Sequence, residues 1–343
     1  MGVTIVVGGQ FGSEGKGKVA QALAASQGAR AVVRVGGSNS GHTTMGPGRQ
    51  VLRQLPTAAV LPDVICVLPA GSYIDVPILL QEVARLNLDP ARLVIDPNAM
   101  LISEADRRQE EQSDLGRRIG STCSGTGASV IRRAMRGSGE VLARACRELA
   151  PFIAPSVNLL RGVLDAGERI LVEGTQGFGL SLLHSPHFPK ATSRDTSASG
   201  ALSEAGLSPL DVDEVVLVLR AHPIRVAGDS GPFGAEEIDW ETVAHEGGLD
   251  TIVEERTSVT GRIRRVSRFD AGIVREAVAV NQPTMIVLNH LDYVDVRVRD
   301  GALTSRAEEF VARVTANIRR SVDLVGLGPD VLVPCRAGQA LIA

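Results

Sequence analysis

With 343 residues, 44% of them hydrophobic, the chain is long enough to bury a large core, as one large α/β domain or two closely fused ones. Its 36 basic and 39 acidic residues are spread along the chain and leave a net charge of −3, which excludes the one-signed field that nucleic acid or a membrane surface requires, while small anionic ligands need only local clusters. Cys66, Cys123, Cys146 and Cys335 lie far apart with no CxxC pair, which argues against a zinc site and a disulfide framework; no apolar run reaches membrane length, so a soluble, cytoplasmic protein is expected.

Short runs of branched apolar residues recur at Thr4–Val7, Ala31–Val35, Val64–Leu68, Arg92–Ile95, Arg169–Val172, Glu214–Leu219 and Thr284–Leu288. Between many of them apolar residues return every three or four positions, which predicts helices over Lys18–Gln27, Pro77–Leu86, Gly139–Phe152, Ala271–Val280 and Ala307–Leu324. This alternation predicts an α/β fold with a mainly parallel central sheet covered by helices. Glycine-rich or polar stretches interrupt it at Gly36–Gly48, Gly120–Gly127, Phe178–Gly200, Ala227–Gly234 and Thr257–Ser267. Ligands collect on the loops at the carboxyl ends of parallel strands, so chemistry is expected there.

The most informative stretch, Gly8-Gly9-Gln10-Phe11-Gly12-Ser13-Glu14-Gly15-Lys16-Gly17-Lys18, follows the first expected strand and opens the first helix. Its glycines allow backbone N–H groups to close on phosphate oxygens at a helix N-terminus, and two lysines add positive charge. Gly12-x4-Gly17-Lys18 matches a P-loop until Val19, where the Mg²⁺-binding Ser or Thr should stand. A second loop, Gly36-Gly37-Ser38-Asn39-Ser40-Gly41-His42-Thr43, offers an imidazole among small polar residues. A lone histidine is more often structural than catalytic, and here the context carries the functional reading.

Together, GGQFGSEGKGK and GSNSGHT resemble the two opening signatures of the adenylosuccinate synthetase family, approximately GxQWGDEGKGK and GHNAGHT. The resemblance continues in the family's order through Ile119-Gly120-Ser121-Thr122, Arg136, Val172-Glu173-Gly174-Thr175-Gln176-Gly177, Thr192, Ile224-Arg225-Val226 with Gly231-Pro232-Phe233, Thr260-Gly261-Arg262-Ile263-Arg264-Arg265, Leu288-Asn289-His290-Leu291-Asp292 and Gly328-Pro329-Asp330. It implies one adenylosuccinate-synthetase-like, P-loop-related domain over residues 1–343. The activity implied is that of a carbon–nitrogen ligase that phosphorylates the 6-oxygen of a purine nucleotide and then displaces the phosphate with aspartate. Mg²⁺ would assist, and a homodimer would form in which Arg136 reaches the neighbouring subunit's site.

Carried over residue by residue, the resemblance implies that Ser13, Lys16 and His42 hold catalytic positions, with His42 donating hydrogen bonds to the activated oxygen or the donor phosphate. Ser13, Glu14, Gly15, Lys16, Asn39, Ser121, Thr122, Arg136, Gln176, Thr192 and Arg262 would hold the purine nucleotide. Gly12, Gly15, Lys16, Gly17, Lys18, Gly41, His42, Thr43, Arg264, Asn289, His290, Asp292, Gly328 and Pro329 would hold the phosphate donor. Val259, Thr260, Gly261, Arg262 and Arg264 would hold aspartate, and Ser13 and Gly41 would face the metal.

Two departures bear on substrate choice. Ser13 stands where the family has the aspartate that takes the purine N1 proton and touches Mg²⁺. A hydroxyl is no comparable base at neutral pH, but a smaller neutral residue leaves room for a guanine 2-amino group and can accept its hydrogen bond. This replacement resembles the viral 2-aminoadenylosuccinate synthetase branch, which condenses dGMP rather than IMP with aspartate to give a 2-amino-N6-succinyladenylate for diaminopurine DNA. In the donor segment, His290 replaces a lysine and Asp292 remains, which favours ATP or dATP over GTP. The rival readings are an ordinary synthetase acting on IMP and a nucleotide-binding paralogue that has lost catalysis; intact His42, Gln176 and Arg262 oppose the second.

Overall fold

The computed structural model describes residues 2–137, 141–257 and 261–335. Val3–Gly8 (β1), Ala29–Arg34 (β2), Ile65–Leu68 (β3), Leu93–Ile95 (β4), Arg169–Glu173 (β5), Val212–Arg220 (β6), Met285–Asn289 (β7), Leu324–Gly326 (β8) and Leu332–Pro334 (β9) form one sheet in the order β9-β8-β7-β6-β1-β5-β2-β3-β4. Every neighbouring pair is parallel except β8 with β9. All seven expected strands are present. The last two strands, β8 and β9, are additions: three residues each, they are too short to show a period.

Both faces of the sheet are covered, as a parallel sheet of Val, Ile and Leu strands requires. Helix α1 (Lys16–Ser26) packs Val19, Ala20, Leu23 and Ala24 against Val6, Val32, Val216 and Val287. The opposite face, with Ile5, Val33, Val172, Leu217 and Leu288, is covered by α6 (Ser156–Asp165), α7 (Ala198–Ala205), α9 (Ala271–Asn281) and α10 (Ser305–Ile318). The remaining helices are α2 (Val76–Arg85), α3 (Glu104–Gln112), α4 (Leu115–Ile119), α5 (Thr126–Ala134) and α8 (Trp240–Gly247). Among the described residues no helix is long and apolar enough to cross a membrane.

Two helix expectations are corrected. Over Gly139–Phe152 the described residues form only short 3-10 turns at Ala143–Ala145 and Arg147–Phe152. Pro151 has no N–H to continue an α-helix, although the spacing of Leu142, Ala145, Leu149 and Phe152 mimics one. Helix α10 stops at Ile318, six residues short of the expected Leu324, because Arg319 turns left-handed at φ 57° and the chain re-enters the sheet as β8.

A smaller antiparallel sheet, Ile224–Arg225, Arg265–Ser267 and Glu237–Ile238, sits beyond the end of β6. It anchors the chain immediately after Arg264.

Candidate active site

The loops after β1, β2, β5, β6, β7 and β8 all leave from the carboxyl edge of the sheet, on either side of β1. Buried polar atoms without a protein partner gather on four of them: the Ser38 and Ser40 hydroxyls, Gln176 Oε1, Arg220 Nε and Asn289 Oδ1. Buried groups of this kind are rarely left unpaired, so their convergence marks a place built for a polar ligand.

After β1 the chain turns through Gly12 (φ 90°), Ser13 (φ 57°) and Gly15 (φ 88°), and Gly15 caps α1 in the left-handed region without a side-chain hydrogen bond. The helix N-terminus thus keeps its free N–H groups for an anion. Close approaches fix the glycines: a Cβ at Gly15 would lie 2.7 Å from Asn289 Nδ2, and one at Gly17 2.9 Å from the His42 Cβ. Inside the loop Glu14 is fully buried and accepts from the Gln10 and Gly12 N–H groups at 3.2 and 2.8 Å and from Lys16 Nζ at 2.7 Å. Glu14 therefore shapes the loop from within.

His42 begins a two-stranded hairpin in which Thr43 pairs with Val51. Its Nδ1 lies 2.5 Å from Glu173 Oε1, and Arg34 Nη1 lies 2.6 Å from the same oxygen and 2.7 Å from Nδ1. Arg34 and Glu173 are register partners at the ends of β2 and β5, so strand pairing itself brings the two charges together. Thr57 completes the carboxylate's shell, donating N–H and hydroxyl to Oε2 at 2.8 and 2.9 Å. Burial disfavours the Glu173 carboxylate, but Arg34, His42 and the Thr57 amide outweigh it and hold the group below its ordinary value. Burial and the Arg34 charge push the His42 imidazolium down to about 3, so the resting ring is neutral. With Nδ1–H facing a carboxylate, Nε2 is the ring's remaining nitrogen. For Nε2 to donate, the ring must take up a second proton, and Glu173 is the group placed to stabilise it.

At the end of β6 the wholly buried Arg220 donates to the Ser13 carbonyl at 2.9 Å and to Glu255 Oε1 at 2.6 Å. Burial opposes the Glu255 carboxylate, yet Arg220 brings its pKa down to about 2. The Glu255 backbone carbonyl accepts the Arg264 backbone N–H at 2.8 Å, and Arg264 Nη1 donates to the exposed Ser13 hydroxyl at 2.5 Å. The expected aspartate loop is thereby clamped against the phosphate loop. Gly261 and Arg262 are exposed beside it, Arg262 held by its backbone alone, which donates to Thr257 Oγ1 at 3.1 Å and accepts the Thr257 N–H at 2.9 Å. Val259 and Thr260 lie outside the described residues.

The donor segments meet at the end of β8, where a Cβ on Gly326 would lie 2.5 Å from Lys18 Nζ and 2.1 Å from Asn289 Oδ1. Lys18 donates to the Gly328 carbonyl at 2.9 Å, beside exposed Pro329. Burial, partly countered by Asp292 and Asp330, lowers its pKa to about 8. Asn289 Nδ2 donates to the Glu14 carbonyl at 2.8 Å. His290 turns left-handed at φ 63°, its imidazolium disfavoured by burial and by Arg220. Asp292 Oδ2 accepts from Arg299 at 2.9 Å, leaving Oδ1 for a ligand.

The remaining expected residues border the same edge, with one exception. Gln176 turns at φ 62° with its Cα 3.7 Å from where a Gly12 Cβ would stand. Asn39 and Gly41 are half-buried in the loop after β2, which meets α5 where a Gly37 Cβ would touch Thr126 at 2.7 Å. Ser121 and Thr122, half-buried, lead into that helix, and Thr192 N–H bonds the Leu180 carbonyl at 2.7 Å. Arg136 is the exception: exposed after α5, it lines a separate cleft with Arg132, Arg133 and Arg144. Sequence reasoning omitted Arg34, Thr57, Arg220 and Glu255 from the site and quoted Glu173 only within a motif. The one available signal was a charged residue closing an apolar strand run, as in Arg34, Glu173 and Arg220.

The adenylosuccinate synthetase family model matches residues 5–143 and 137–300. Adenylosuccinate synthetases of Methanococcus aeolicus and Thermococcus sibiricus are each 35% identical, over 96% and 95% of this chain and 98% and 96% of theirs. Among solved structures, the cyanophage S-2L succinoaminodeoxyadenylate synthetase bound to dGMP and dATP superposes with TM-score 0.83 at 28% identity, covering 97% of this chain and 95% of that one. The fully ligated adenylosuccinate synthetase of Plasmodium falciparum shares the fold, with TM-score 0.81 at 19% identity over 96% and 98% of the two chains. The chain belongs to the adenylosuccinate synthetase family and is a carbon–nitrogen ligase acting on purine nucleotides and aspartate.

Proposed function

We propose that this ligase condenses dGMP with L-aspartate, driven by ATP or dATP, to give 2-amino-2′-deoxy-N6-succinyladenylate. The observation that carries the reading is Ser13 with its hydroxyl 2.5 Å from Arg264. A hydroxyl has two acceptor sites and one donor, so after accepting from Arg264 it retains one lone pair for the guanine 2-amino group. The likeness to the cyanophage enzyme bound to dGMP and dATP supports the same reading.

In the reaction the donor's γ-phosphoryl group passes to oxygen 6 of the purine, the donor leaves as its diphosphate and the N1 proton passes to water. The aspartate amine then bonds to carbon 6, and phosphate leaves with that oxygen. The free N–H groups at the α1 N-terminus with Lys16 and Lys18 neutralise the transferring group. Arg262 and Arg264 grip the aspartate carboxylates, and Asp292 Oδ1 accepts from an adenine 6-amino group.

Mg²⁺ would add charge neutralisation at the donor phosphates. Among the described residues there is no cluster of three His, Cys, Asp or Glu side chains to hold it. The Gly41 carbonyl suits the ion, but the Ser13 hydroxyl does not, because Arg264 already places a cation on it.

The test is phosphate release with aspartate, Mg²⁺ and ATP, comparing dGMP, GMP, IMP and dIMP. Turnover of dGMP with little of IMP is expected; efficient IMP turnover without dGMP would return the chain to ordinary adenylosuccinate synthesis, the activity named for its 35%-identical relatives. We further propose a homodimer, since Arg136 points away from its own site and Ile131 and Met135 on the same segment are exposed apolar side chains. Light scattering that shows an active monomer would refute it.

A further inference from the structure

A cavity of about 510 Å³ opens between α10, the turn Leu291–Tyr293 and the chain beyond β6, outside every residue assigned above to purine, donor or aspartate. It lies on the α9 and α10 face of the sheet, whereas Lys18 approaches from α1 on the opposite face. His222 in its wall is 6% exposed, and its Nδ1 is buried with no hydrogen-bond partner. Burial, Arg220 and Arg268 push this imidazolium down to about 4, so the ring is neutral and one nitrogen is an acceptor. Phe269 and Phe310 line the cavity edge to face, 6.3 Å apart, and Tyr293 joins them.

Arg306 and Arg313 stand on one face of α10, two turns or roughly 10 Å apart along the axis. Neither has an ion-pair partner among the described residues, although Glu309 shares their face; the Arg313 guanidinium lies over the Phe310 ring, 5.3 Å from its centre. Arg268 and Glu246 beside them neutralise each other at 2.7 Å. An aromatic wall of perpendicular rings, a buried ring nitrogen to be satisfied and two guanidiniums without a carboxylate partner are complementary to one ligand class, a nucleotide.

We propose that this cavity is a second nucleotide site, separate from the catalytic one, with the base against Phe269, Phe310 and Tyr293, a base N–H on His222 and the phosphates on Arg306 and Arg313. The chain's single tryptophan reports on it, because the Trp240 ring meets Tyr293 edge to face at 6.1 Å.

The experiment titrates ATP into the full chain, counting bound equivalents by equilibrium dialysis and following Trp240 fluorescence. Arg306→Glu with Arg313→Glu should bind one equivalent fewer than wild type and lose the fluorescence change, with basal turnover within twofold of wild type. The paired Arg→Gln variant serves if the charge reversal fails to fold. His222→Leu should lose at least tenfold in ATP affinity at this site while binding inorganic tripolyphosphate as wild type does. Unchanged stoichiometry in both arginine variants, or wild type binding tripolyphosphate as tightly as ATP here, would overturn the proposal. Because the count is made without acceptor or aspartate, it is independent of whether dGMP is the substrate.

Discussion

Arg264 donates to the Ser13 hydroxyl at 2.5 Å, so the side chain expected to stand in for the family's catalytic aspartate is held by a cation. Burial and Arg220 disfavour the Arg264 charge while Glu255 and Glu14 support it, so this guanidinium would gain from a further carboxylate. A carboxylate at position 13 would be captured there as an ion pair.

Ser13→Asp should therefore lower kcat/KM for dGMP at least tenfold, about 1.4 kcal/mol, even though it restores a formal base. The captured carboxylate crowds the 2-amino group and is held away from N1. Steady-state kinetics with dGMP and IMP on both proteins decide it; equal or better dGMP use in the variant would show that Ser13 does not set acceptor choice.

The strands were legible because runs such as Thr4–Val7 and Thr284–Leu288 are branched and apolar, as strands buried on both faces must be. Helix α3 was missed for the opposite reason: Glu104–Gln112 has scarcely an apolar residue and begins on a Ser103 and Asp106 capping box. The phosphate and aspartate loops could be found because their chemistry is written in consecutive residues. The Arg34–Glu173 and Arg220–Glu255 pairs could not. Their partners are 139 and 35 residues apart, and only strand register and loop closure bring them together.

Lys18 gives the donor site a pH dependence. Its pKa is about 8 in the folded chain against an ordinary 10.5, so the unfolded chain binds more protons between those values and stability rises with pH across that window. Donor binding has the opposite sign, because the ammonium grips phosphate only while charged. Above pH 8 the apparent donor affinity should fall by up to about tenfold per pH unit, and Lys18→Arg should flatten the profile. A donor dissociation constant independent of pH between 7 and 9.5 would remove Lys18 from the phosphate contacts.

Arg262 is exposed and contributes no side-chain hydrogen bond to the fold among the described residues. Arg262→Ala should leave Tm unchanged while weakening aspartate, since a lost charge-assisted contact to carboxylate costs roughly 2–5 kcal/mol. An unaltered KM for aspartate would take this arginine out of the site.

Glu173 is the residue whose loss should separate fold from chemistry. One oxygen serves Arg34 and His42, and the other accepts from the Thr57 N–H and hydroxyl. A glutamine has one acceptor oxygen and one donor amide, so either orientation sets an NH₂ group against existing donors, and the buried Arg34 loses its counter-charge. Breaking a buried pair in this way costs about 3–5 kcal/mol, which should lower Tm by several degrees. The chemical effect is separate: without a carboxylate at Nδ1, His42 cannot be stabilised as a cation when a phosphate oxygen needs a proton donor. Glu173→Gln should thus reduce kcat by about a hundredfold or more with a smaller change in KM for either nucleotide, and Glu173→Asp, which keeps the charge, should recover part of it. A fall in Tm with kcat intact at a temperature where the variant is folded would make Glu173 a structural residue only.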